Sequence, residues 1–326
     1  MKYLFTLICL LILGLSSSEQ DKAKDELIRK GNVIYDFTLA QLSKKYITTN
    51  DTFVLSQITG TDGIKLLYDH ANWSGNNSEK LSLRDFAKKI IDRDNNLKNI
   101  NSILRNIKYA KDSIASIDYP QQICIKYLPD GFSFSSRLCF TIGYDLGITY
   151  LSNSSVNISH IHYLDNCLEM KYYSIHELHH AGFNILKKNK MPSLNINTYG
   201  EMSKLIAYLT HLEGMAVYAA YHEREKNNAL NGDPDYIALQ DTLLMKKLCN
   251  RYFEIYNHFL VNINDTLTEK DWLLLEELSS GNRLWYRVGS RMAEIIDKKL
   301  GREKLTDLIS EPSENFINTF ILLKDK

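Results

Sequence analysis

The sequence predicts an α+β protein that is mostly α: an N-terminal helical region, one small antiparallel sheet and a helical remainder. Three observations carry this. Apolar residues recur at three- and four-residue spacing from about Glu19 to Ser116, the signature of helices with one buried face. A middle stretch rich in Ile, Tyr, Phe and Thr alternates in part and is broken by "DGFSFSS" and "SNSS", as short strands and their turns are. From Asn166 the helical spacing returns almost to the end, with breaks at "KKNKMPSLNINTYG", "NGDPD", "NINDTLTEKD", "SSGN" and "KKLGREK". These shifts divide the chain into 1–18, a leader; 19–118, the helical region; and 119–326, the part that carries the chemistry.

The leader has Lys2, an apolar run from Tyr3 to Leu15 and small residues to Ser18. The run is too short to span a bilayer comfortably and has the proportions of a signal peptide. Export to the periplasm or the cell exterior is therefore expected, with no stable membrane span once the leader is removed. Cys9 lies inside the apolar run without small residues before it, which argues against lipid attachment. Cys124, Cys139, Cys167 and Cys249 remain in the mature chain; an oxidising compartment permits disulfides among them, in any of three pairings. The NxS/T triplets at Asn72, Asn153, Asn157 and Asn264 matter only where exported proteins are glycosylated.

Within the helical region the segments are "KDELIRKGNVIYDFTLAQLSKKY", "DGIKLLYDHANW" and "SLRDFAKKIIDRDNNLKNINSILRNIKYAKDSI". Asp69 and His70 read as a surface pair, with a site role as the alternative. The expected strands are "QQICIKYLP", "RLCFTIGYDLGITYL" and "VNISHIHYL". Alternation puts His160 and His162 on one face of the last strand, where solvated histidines are the default and a site role the alternative. The charge balance, 39 basic against 39 acidic residues, gives no global field toward nucleic acid or an anionic membrane.

The stretch "YYSIHELHHAGF", residues 172–183, concentrates the chemistry. A possible cap at Asn166 with Glu169, and "KKNKMP" at the far end, place it in a helix of about five turns. Residues four apart lie one above the other, so the imidazoles of His176 and His180 aim at one point, and Glu177, turned by about 100°, reaches a water held there. That is the logic of HExxH: two neutral imidazoles bind Zn2+ and the glutamate takes a proton from the activated water. His179 is turned by about 60° or more from both and reads as packed, or as supporting the site from behind, rather than as bound to metal.

A catalytic zinc usually has a third protein ligand. In "EMSKLIAYLTHLEGMAVYAAYHEREK" the residues Leu205, Ile206, Leu209, Leu212, Ala216, Val217, Ala219 and Ala220 form one apolar stripe. Glu213 falls inside it. A carboxylate on a buried face needs a partner, which a metal supplies; a buried salt bridge to Arg or Lys is the competing explanation. His211 and His222 point nearly the opposite way on the same wheel, and Glu201 and Glu223 are reserve ligands. Gly214 beside Glu213 costs about 1 kcal/mol against alanine in a helix, which hints at a close helix approach.

"HELHH" followed by "EGMAVYAAY" resembles the gluzincin class of zinc metallopeptidases, in particular exported or cytoplasmic families that pair HExxH with a downstream EGxA helix. The resemblance covers about 120–310, including "RLWYRVGSRMAEIIDKKLGREKLTDLI", and lacks the third histidine of the metzincins. It implies a zincin-like catalytic domain, His176, His180 and Glu213 as zinc ligands, Glu177 as general base, Zn2+ as cofactor and a peptide or protein as substrate. It also implies a group that steadies the tetrahedral oxyanion, for which Tyr286 and Arg287 are the candidates, against readings as core and solvated charge. Zincin folds bind extended peptide along a strand edge, for which "VNISHIHYL" is nominated. The competing expectation is a non-catalytic exported binding or scaffold protein whose metal is structural or vestigial, with the fourth metal position closed by His211, His222 or another side chain. Zinc hydrolysis of a non-peptide bond is a third.

Overall fold

The computed structural model describes residues 26–188 and 191–324; the expected leader, 1–18, lies outside them. In chain order the elements are β1 (Leu27–Lys30), β2 (Val33–Asp36), α1 (Thr38–Thr49), α2 (Thr52–Ile58), α3 (Asp62–Trp73), α4 (Leu83–Ile91), α5 (Arg93–Lys98), α6 (Ile100–Ala115) and α7 (Pro120–Cys124). There follow β3 (Ser136–Thr141), β4 (Gly147–Tyr150), β5 (Asn153–Asn157), α8 (Ile161–Asp165), α9 (Glu169–Leu186), α10 (Tyr199–Lys226) and α11 (Pro234–Gln240). The chain closes with α12 (Thr242–Leu260), α13 (Glu269–Ser279), α14 (Leu284–Leu300), α15 (Arg302–Asp307) and α16 (Ser313–Lys324). The protein is α+β and mostly α, and no described helix is long and apolar enough to cross a membrane. The described residues form two compact units, one of residues 26–114 with 135–170 and the other of 115–134 with the described part of 171–324.

The first unit holds the sheet, in the order β1-β2-β3-β5-β4. It is mixed, not antiparallel as expected: β2 with β3 and β3 with β5 run parallel, while the outer pairs are antiparallel. One parallel pair comes from β5 inserting between β3 and β4; the other involves residues 27–36, which read as helix and form a hairpin instead. Gly31, at φ 59°, opens the two-residue Gly31-Asn32 connection, since glycine adopts positive φ without the clash a Cβ brings. Beyond it Val33 and Tyr35 are buried and Ile34 is half-buried, the period of a strand. The long connection through α1–α7 then returns β3 alongside β2 in the same direction. Phe37 stacks on Phe140 with centroids 4.3 Å apart, part of the core that joins sheet and helices in this unit.

Two other expected strands also differ. "QQICIKYLP" forms α7 and a single 3-10 turn, because Pro120 occupies the first helical turn, where its missing N–H costs nothing. "VNISHIHYL" is strand only to Asn157, whose Oδ1 accepts from the N–H groups of Gly143 and Ser159 and ends the ladder. His160 then caps α8, its Nδ1 accepting from the His162 N–H at 3.3 Å. The two histidines therefore do not share a strand face. Cys124, Cys139, Cys167 and Cys249 are all free.

The second unit is built around α10, whose capping box is complete: Thr198 accepts from Glu201 N–H, and the Glu201 carboxylate accepts from Thr198 N–H. Both orphan donors at the helix start are thus satisfied. The stripe read from the sequence widens here to almost the whole circumference, because α12, α14 and α16 pack on the helix and α9 meets it through His176, His180 and Asn184. A helix buried all round is the core of its unit.

Candidate metal centre

Within the second unit, α9 buries Ser174–Asn184 without a break. His176 and His180 stand one turn apart on it, their rings edge-on at 84° with centroids 4.5 Å apart. Glu213 comes to them from the middle of α10. Its Oε2 lies 3.3 Å from His176 Nε2 and 3.2 Å from His180 Nε2, and the three donor atoms all fall within 4.8 Å of one another. The expectation of a buried carboxylate needing a partner is met by two imidazoles, not by Arg or Lys.

These residues fit a tetrahedral zinc. Bonds of roughly 2.0–2.1 Å at tetrahedral angles separate ligand atoms by about 3.3 Å, the spacing that Glu213 Oε2 keeps from both nitrogens. That oxygen is buried and aligned for a hydrogen bond to neither ring, a costly state for a carboxylate unless a cation meets it. Two imidazoles and one carboxylate are also a donor set that zinc takes with one position left for water.

Electrostatics agree with the geometry. Burial lowers the His176 pKa, the charge of His180 lowers it further, and Glu213 only partly offsets them, so the ring is held neutral. For His180 burial again pulls down, but Glu213 and Glu177 outweigh it and the pKa rises. Burial pushes the Glu213 carboxyl up; the charge on His180 and the closeness of both imidazoles overcome this and hold it well below the usual carboxylate range. Glu213 is therefore anionic and carries the charge that draws a cation to the site.

Glu177 is buried beside these groups, and its charge is felt at both His180 and Tyr286. Tyr286, in the first turn of α14, lays its ring parallel to His176, at 15° and 6.4 Å between centroids. Burial raises its pKa well above the ordinary value, the Glu213 charge adding to the effect, so the phenol keeps its proton. Arg287 does not project freely: its Nε donates to Asp235 Oδ1 at 2.8 Å. The Arg283 Nε donates to the same carboxylate at 3.0 and 2.8 Å, with its guanidinium 3.8 Å over the Tyr286 ring. Tyr173 flanks His176 at 6.2 Å between centroids and donates its hydroxyl to Asp233. Sequence reasoning missed Asp235, Arg283 and Tyr173. The available signal was Arg–Leu–Trp–Tyr–Arg, two arginines four apart astride a tyrosine, with "DPD" upstream to supply a buried acid.

The other candidates lie elsewhere. His211 stacks on Phe316 at 4.4 Å and meets Ser313 Oγ, so it is core. His222 faces Glu225, Glu223 pairs with Lys171, and Glu201 is used by its cap. His179 donates from Nε2 to the Tyr127 carbonyl and is held neutral, burial driving its pKa down to about 3.

Gly214 has the packing reason its cost suggested. A Cβ there would lie 2.3 Å from the Gly289 carbonyl carbon, and one on Gly289 would lie 2.4 Å from the Thr210 oxygen. The helices bearing Glu213 and Tyr286 thus cross backbone to backbone. Gly289→Ala is expected to destabilise the protein by about 2–3 kcal/mol and to lower zinc occupancy, read from thermal unfolding and metal content; an unchanged midpoint would show that the crossing yields without strain.

A family model described as "Putative zinc dependent peptidase (DUF5700)" matches residues 58–323 of this chain. No curated protein matches it, and no solved structure does.

Proposed function

The chain belongs to the family so described, and from that premise we propose that it is an exported metallopeptidase of the gluzincin type, with His176, His180 and Glu213 as zinc ligands and Glu177 as general base. The observation that carries the reading is the convergence of one buried, unaligned carboxylate oxygen on two imidazole nitrogens at 3.2 and 3.3 Å. Zinc, when bound, supplies Lewis-acid polarisation of the attacking water and the scissile carbonyl. The Glu177 carboxylate accepts the proton of that water and passes it to the leaving amine nitrogen as the C–N bond breaks. The Tyr286 hydroxyl, kept protonated by burial, donates to the oxygen on which negative charge develops. His176 and His180 are held in direction by the α9 backbone and their edge-on contact.

Export rests on the leader alone, and the substrate is a peptide or protein. The scaffold alternative needs a side chain closing the fourth position, and His211 and His222 are occupied elsewhere. The deciding experiment is elemental analysis of the purified mature chain, followed by a peptide library with and without chelator. About one zinc per chain and chelator-sensitive cleavage support the reading; no zinc after reconstitution would sink it. Tyr286→Phe is expected to lower kcat by roughly 100-fold with zinc retained, the size of one lost oxyanion donor, in steady-state kinetics on the best library peptide. Full activity would send the search for that donor elsewhere.

A further inference from the structure

Arg283 and Arg287 both spend their Nε–H on one buried acid, Asp235. Among the described residues the Nη1 and Nη2 atoms of both bond to no protein group, while 34 % of the Arg283 side chain and 15 % of Arg287 stay exposed. Two fixed cations share one anion, Asp235, and each guanidinium keeps the planar pair of donors that matches a carboxylate. Arg283 is the cap residue just before α14 and Arg287 lies in the helix's first turn; their shared hold on the Asp235 carboxylate brings the two side chains together. Their side chains are anchored at Nε, so little conformational freedom remains to be lost when a ligand binds.

The pair stands beside the metal centre. Arg283 lies 3.8 Å over Tyr286, and Tyr286 lies 6.4 Å from His176, so the guanidinium is at most about 10 Å from the imidazole. An extended peptide advances roughly 3.3–3.6 Å per residue, so that distance is no more than about three residues of substrate. Arg283 also holds an unfavourable backbone conformation, φ 51°, at the helix start, a cost that its placement over Tyr286 and against Asp235 sustains.

We propose that the Nη ends of Arg283 and Arg287 form an anion subsite that takes a carboxylate of the peptide substrate, within about three residues of the bond cut at the His176, His180 and Glu213 centre. The inference rests on the peptidase reading and deepens it: the substrate is a peptide with a carboxylate near the scissile bond. That carboxylate is either a free C-terminus or an acidic side chain.

The test uses the full mature chain, zinc-loaded, with Glu177→Gln to stop turnover. Fluorescein-labelled peptides of one neutral sequence are compared by anisotropy in three forms: C-terminal amide, free C-terminus, and amide with one glutamate at successive positions. A carboxylate form is expected to bind at least about tenfold tighter than the neutral amide, as a charge-assisted paired contact gives. Tighter binding of the free C-terminus identifies terminal recognition; tighter binding of a glutamate form identifies side-chain recognition. Arg283→Lys with Arg287→Lys keeps positive charge on Asp235 but removes the paired donors, and should erase the advantage with zinc content unchanged. Arg283→Lys alone is measured beside it, as the gentler change, and should weaken the same preference. Equal binding of all forms, or a preference that survives both variants, overturns the subsite while leaving the peptidase reading intact. Failure of every peptide to bind the zinc-loaded chain tells against the peptidase reading and removes the subsite with it.

Discussion

Glu177→Gln is expected to lower peptide hydrolysis by roughly a thousandfold, within the range that general-base catalysis supplies, while the chain still binds one zinc. The amide is nearly isosteric with the carboxylate, so the α9 packing that buries Glu177 should survive. What it loses is the lone-pair basicity that accepts a proton from the attacking water. Single-turnover kinetics and metal content on the same sample separate these effects. Activity within tenfold of wild type would mean that another group takes the proton; loss of zinc would mean that Glu177 supports the metal more than the chemistry.

The second large effect is expected from Glu213→Ala. Removing one of three protein ligands should weaken zinc by at least roughly 100-fold, beyond the 10–100-fold that loss of an outer partner costs, and activity should disappear with the metal. The same change takes away the anion that both imidazoles face at 3.2 and 3.3 Å, so His180 loses the main influence that raises its pKa. Titration of zinc with a competing chelator measures the loss. Unchanged affinity would show that Glu213 is not a ligand, and leave its buried oxygen without a partner.

The histidine pair was legible because a helix fixes the relation of residues four apart, and nothing tertiary is needed to bring His176 and His180 together. Glu213 was legible for the opposite reason, as a charge in a stripe that otherwise excludes charge. The hairpin at 27–36 was hidden because "LIRKGNVIYD" satisfies a helical spacing and a strand spacing equally, and only pairing with β3 decides between them. His160 and His162 were misplaced because a polar residue, Asn157, ends the strand from within through its own side chain. The Asp235 clamp joins residues about fifty positions apart, from α11 to α14, so no local period announces it.

The glycine crossing of α10 and α14 has a dynamic consequence. With backbones in contact and no side chain to slide, the two helices cannot shear past each other without breaking the packing at Gly214 and Gly289. Glu213 and Tyr286 are then carried on one stiff body. The amide protons from Thr210 to Gly214 should be among the slowest in the protein to exchange with solvent.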